Sequence, residues 1–174
     1  MKPKSIKRIA ILLMAVLILP MVFGCFKKTD APAEQDTTLV IEESKTITIG
    51  DEYEKVIVKA PGVVLEDGEV DEVVIEASVE DGEVTLSNIR GDKLDIQGGG
   101  TGSIYLEGTS YFERAEMGRK EGPVRIVTKD NARVQSLTII DGSKDVIVTG
   151  SIGDLKIEAS DIEVSMVDAT LGKI

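Results

Sequence analysis

Apolar residues return in this chain at a nearly constant interval of about 20 residues, and that interval limits the possible folds more than any other feature. Within residues 82–109, GEVTLSNIRGDKLDIQGGGTGSIYLEGT, three apolar pairs each bracket one residue: Val84 and Leu86, Leu94 and Ile96, Ile104 and Leu106. Both members of such a pair point to the same side of an extended strand. One series of pairs begins at Val63, Val84, Ile104, Val124, Val146 and Ile162, with steps of 21, 20, 20, 22 and 16. A second begins at Val73, Leu94, Ala115, Leu137 and Leu155, with steps of 21, 21, 22 and 18. Two strands per fixed period predict an all-β solenoid in which each coil is stable only against its neighbours. Strand patterning starts at about residue 38 with Leu39/Ile41, Ile47/Ile49 and Val56/Val58, and leaves room for six or seven coils of about 20 residues.

The competing architectures fit less well. A seven-stranded sandwich also has many short strands, but it requires no constant step. Sustained helical periodicity is absent, and only residues 113–120 read as a short helical turn. Aromatic residues make up 3% of the chain and Trp is absent, so the core is expected to be aliphatic, as thin stacked layers require.

The N-terminus has a different character. Lys2, Lys4, Lys7 and Arg8 precede an apolar run at residues 9–23, IAILLMAVLILPMVF, which is the layout of a secretory signal. The run ends in Val22-Phe23-Gly24-Cys25, which resembles the bacterial lipobox, with Phe23 where a small residue is usual. Cys25 is the only cysteine, so no internal disulfide is possible, and the resemblance makes it the lipidation site. The expected organisation is a lipoprotein signal peptide at 1–24, a lipidated Cys25 and polar tether at 25–37, and a β-helix domain at 38–174. The lipid would hold the chain on the extracytoplasmic face of the cell membrane.

The repeats Gly82-Glu83-Val84-Thr85-Leu86-Ser87-Asn88-Ile89, Gly98-Gly99-Gly100 and Ile104-Tyr105-Leu106-Glu107-Gly108-Thr109 resemble the parallel β-helix modules of Gram-positive cell-surface proteins. The similarity runs over roughly residues 61–174. It implies a pectate-lyase-like, right-handed parallel β-helix, and it carries no agreed catalytic residues.

The chemistry available is narrow. With no His, the chain has no histidine triad, histidine metal site or histidine acid–base pair. A net charge of −11 argues against nucleic acid as a partner. Gly99-Gly100-Thr101-Gly102-Ser103-Ile104 resembles the start of a Ca²⁺-binding nonapeptide repeat, but Ile104 replaces the liganding Asp, so a Gly-rich corner is expected instead. Asn88 is expected to bond backbone groups in a corner. The sequence therefore implies no catalytic residue, metal or cofactor.

The expected role is structural or adhesive, toward an envelope polysaccharide or surface protein. Thr85, Tyr105 and Arg125, the outward members of successive pairs, are expected to form one binding column, with Tyr111 and Phe112 extending it. Two alternatives remain: a polysaccharide lyase using the basic cluster Arg114, Arg119, Lys120 and Arg125, and a Ca²⁺-dependent glycan-binding module.

Overall fold

The computed structural model describes residues 37–173, and the expected signal peptide, Cys25 and all but the last residue of the expected tether lie outside them. The described chain is a parallel β-solenoid of about six turns, with roughly 21 residues per turn. Its strands are β1 (Thr38–Ile41), β2 (Thr46–Gly50), β3 (Lys55–Val58), β4 (Val63–Ile75), β5 (Val84–Ile96), β6 (Tyr105–Glu107), β7 (Tyr111–Met117), β8 (Val124–Thr128), β9 (Arg133–Ile139), β10 (Val146–Ile157) and β11 (Val164–Lys173). Every ladder between them is parallel. One 3-10 turn, Ala77–Val79, is the only helical segment among the described residues.

The second apolar series forms a ladder as the spacing predicts. Leu39, Val56, Val73, Leu94, Ala115, Leu137 and Leu155 are partners from turn to turn. From Val56 onward they are buried. Full burial of one such aliphatic side chain contributes about 1.5–3 kcal/mol, and the neighbouring turns supply that burial. The core is aliphatic apart from Phe112, its one fully buried aromatic ring. Residues 36–174 form one compact unit with this core inside it.

The first series holds from Val63 through Val84 to Ile104, and again from Val124 to Val146, but departs from the expected register between Ile104 and Val124. Thr85 pairs with Tyr105, but Tyr105 pairs with Val127 rather than Arg125. The turn that starts at Tyr105 is thus 22 residues long, two more than the repeat before it. One extra residue sits at the corner: Leu86 and Arg90 are four apart, whereas their partners Leu106 and Tyr111 are five apart. At the C-terminal end Val146 pairs with Val164, so the last pair begins there and not at Ile162.

Residues 113–120 are not helical: Tyr111–Met117 is strand β7, with Ala115 and Met117 buried on the inner side. Ladder pairing and burial of the alternate residues outweigh local helix propensity.

A third side, absent from the sequence pattern, carries the ladder Val70, Gly91, Phe112, Val134 and Ile152. A left-handed residue sets the corner before it, Asp67 with φ 49° in one turn and Asn88 with φ 55° in the next. Asn88 links three turns. Its Nδ2 donates to Asp67 Oδ1 at 3.0 Å, and its Oδ1 accepts from Thr109 N at 3.0 Å.

The Gly98–Gly99–Gly100 stretch is buried. Gly99 has φ +98°, and Gly98 lies against the backbone of Glu76, where a Cβ would collide. Ser103 Oγ accepts from Gly100 N at 2.5 Å and donates to Gly100 O at 2.7 Å, which closes the corner.

Candidate functional site

The corner residues place short strand segments on the third side, and their outward side chains stack in a column. Arg90 pairs with Tyr111 and Tyr111 with Arg133, so these three occupy one position on successive turns. The Arg90 guanidinium carbon lies 5.4 Å from the Tyr111 ring centroid, and that of Arg133 lies 5.1 Å from it. Because the two arginines come from the turns on either side, the ring stands between them. Each contact is a cation–π interaction worth about 0.5–1 kcal/mol at an exposed site.

The ends of the column differ. Arg90 meets Glu69 of the preceding turn at 3.6 Å, an exposed pair of small energetic weight. Arg133 has no carboxylate within ion-pair distance among the described residues. A groove of about 520 Å³ is lined by Arg90, Thr109, Tyr111, Asn131 and Arg133. A neighbouring groove at the Glu69 end is acidic, with Asp51, Glu52, Glu54, Asp71 and Asp92 among its lining residues.

The expected binding residues are therefore dispersed. Thr85 and Tyr105 are ladder partners, as the spacing predicted. Arg125 is displaced from Tyr105 by two residues and donates instead to Thr149 Oγ1 from Nε at 3.1 Å and from Nη2 at 2.9 Å. The cation over Tyr105 is Lys129, with Nζ 4.4 Å from the ring centroid. Lys129 Nζ also donates to Glu107 Oε1 at 2.6 Å, and this bond holds the lysine above its ordinary pKa. The pairing neutralises the site. Phe112 is buried in the core and contributes nothing to the surface. Tyr111 is half-buried at a different side from Tyr105, with the exposed Arg90 and Arg133 as the partners that sequence reading missed.

The basic cluster expected for a lyase also comes apart. Arg119 and Lys120 line one cavity with Glu80, Asp81, Asp95, Glu116 and Glu121, while Arg114 and Arg125 lie elsewhere. Arg119 is buried and its Nη2 donates to Asp81 Oδ1 at 2.6 Å. Glu116 is paired with Lys93 at 2.9 Å, and Asp95 Oδ2 accepts from Gln97 Nε2 at 3.1 Å. No three acidic side chains among the described residues are arranged to hold a metal ion. No family model, curated protein or solved structure matches the chain.

Proposed function

We propose that this chain is a lipid-anchored, extracytoplasmic β-solenoid with a non-enzymatic binding role at the cell envelope. The observation that carries the reading is the outer column Arg90–Tyr111–Arg133, two exposed arginines about a half-buried tyrosine on a strongly acidic protein. The apolar run ending at Cys25 supports a membrane anchor. The likeness of residues 61–174 to Gram-positive surface modules supports an envelope polysaccharide or surface protein as partner. A solenoid suits the task because its core fixes each outward side chain at the turn-to-turn spacing of about 4.8 Å.

Lyase action is the competing reading. It asks for a free base beside convergent carboxylates, and the Arg119 cavity has its arginine and several of its acids engaged with protein partners. The test is retention of the chain lacking its first 25 residues on isolated envelope material, with and without Ca²⁺, alongside a turnover assay on acidic polysaccharides. Retention without turnover supports the proposal. Turnover, or an absence of retention, overturns it.

A further inference from the structure

We infer that the Arg90–Tyr111–Arg133 column is a subsite for a polymer carrying repeated anionic groups, a glycan whose carboxylates or phosphates meet the two guanidiniums in turn. The inference rests on the envelope-binding reading and gives it a ligand class. The two arginines are two ladder steps apart, about 9.6 Å by the spacing of adjacent strands. Tyr111 fills the space between them, and its faces are covered by the guanidiniums at 5.4 and 5.1 Å. The ring is thus a spacer and not a platform for a sugar. Held against the ring, each guanidinium loses freedom before any ligand arrives; Arg133 has no carboxylate on its N–H groups among the described residues, whereas Arg90 shares its Nε with Glu69.

The surroundings orient the ligand. The acids of the adjoining groove, with Glu69 next to Arg90, repel a polyanion from the N-terminal end. Beyond Arg133 the column continues through its ladder partner position to Ser151 and Thr170, which are neutral. Thr109 and Asn131 flank the arginines in the groove and offer polar groups to sugar hydroxyls. A chain of anions is therefore directed along the column from Arg90 toward the C-terminal turns. Arg133, free of any carboxylate partner among the described residues, contributes more than Arg90.

The test uses the chain lacking its first 25 residues, whose compact unit is complete in residues 36–174. It is titrated with polygalacturonate, with poly(glycerol phosphate) and with a neutral glucan, at low and at moderate salt. Expected are binding to one or both anionic polymers, none to the glucan, and a steep fall with salt. Arg133→Ala should weaken binding by about tenfold or more, the loss of one charge-assisted contact, and Arg90→Ala by less. Tyr111→Leu should weaken it with both arginines present, a loss that a pure charge effect would not give. Circular dichroism and melting verify the fold of each variant.

The two polymers distinguish carboxylate from phosphate as the anion. Anion binding that is unchanged in a folded Arg90→Ala, Arg133→Ala variant overturns the subsite. So does binding to neither polymer. If envelope material is still retained by that variant, the envelope-binding role stands and only this site falls. If wild type binds the polymers through the arginines but is not retained on envelope material, the subsite stands and the envelope role falls.

Discussion

Gly91 and Phe112 are partners on adjacent turns, and the ring occupies the space that a side chain on Gly91 would need. A Cβ at Gly91 would stand 2.6 Å from Phe112 Cε1 and 2.8 Å from Val70 O. The largest ring in the core is accommodated by the smallest residue in the same ladder. Gly91→Ala is expected to cost about 1–3 kcal/mol through overpacking. Phe112→Ala is expected to cost about 3–5 kcal/mol through the cavity it leaves. The two sites touch, so the double variant should cost less than the sum. Denaturant unfolding of all four proteins measures the coupling, and strict additivity would mean that the glycine is not there for the ring.

Arg119 joins two loops that are far apart in sequence. Its Nη2 donates to Asp81 Oδ1 and its Nη1 to Pro123 O at 3.1 Å, while its side chain is only 7% exposed. Asp81 is 87% exposed. Loss of the buried partner leaves a cavity and an unpaired carbonyl, and loss of the exposed one removes a solvent-screened carboxylate while the guanidinium keeps its bond to Pro123 O. Arg119→Ala should therefore cost about 2–4 kcal/mol and Asp81→Ala about 1 kcal/mol or less. Equal melting temperatures for the two variants would contradict this asymmetry.

Much of this architecture is legible in the sequence where the apolar steps repeat. Leu94/Ile96 and Leu137/Ile139 alternate cleanly, Ala115/Met117 between them is the weakest pair of the series, and the 21- and 22-residue steps match the observed ladder. At residues 124–127, Val-Arg-Ile-Val, three apolar residues leave the register open by two. The shorter step aligned Arg125 with Tyr105, and the wider turn aligned Val127. The third side escaped because it contributes one inward residue per turn, and one of these is Gly91. The Arg90–Tyr111–Arg133 column was within reach. Each member lies four residues before a member of the Leu94–Ala115–Leu137 ladder, so the same steps place them together.

That ladder gives a sharp test of facing. Leu94 is fully buried, and Lys93 points outward between two carboxylates. Leu94→Asp buries an unpaired charge and should abolish cooperative folding, because the cost of several kcal/mol rivals the stability of a domain. Lys93→Asp replaces two partly exposed pairs by like-charge repulsion and should cost about 1 kcal/mol. Thermal melts of both variants check it. A folded Leu94→Asp protein would place the core elsewhere.

Lys55, Glu72, Lys93 and Glu116 form a run of ion pairs across four turns, at 2.6, 3.6 and 2.9 Å. The hydrogen bond from Lys55 holds Glu72 below its ordinary pKa of 4.5, and the bond to Glu116 holds Lys93 above its ordinary 10.5. The carboxylate's contribution is complete above its unfolded pKa and is lost as pH falls through the lower folded value. The lysine's contribution is complete below its unfolded pKa and is lost as pH rises through the higher folded value. Glu72→Gln should therefore be less stable than wild type at neutral pH by about 0.5–1 kcal/mol. The difference should shrink toward zero in acid and persist at mildly alkaline pH. Urea unfolding across pH measures it, and a constant difference in acid would rule out this linkage.

Cys25 lies outside the described residues, and its role is tested by chemistry in cells. It closes the apolar run at residues 9–23 and is followed by Lys27 and Lys28, which would face the lipid head groups. A cysteine carrying several acyl chains gives stable anchoring, whereas one chain alone gives marginal binding. Cys25→Ser should abolish metabolic labelling with palmitate and move the protein from the membrane fraction into the extracytoplasmic soluble fraction or leave it uncleaved. The solenoid core does not include residue 25, so the folded domain and its melting temperature should be unchanged. Unaltered palmitate labelling of the variant would refute the lipid anchor. An unlabelled wild type held in the membrane would instead identify residues 9–23 as an uncleaved anchor.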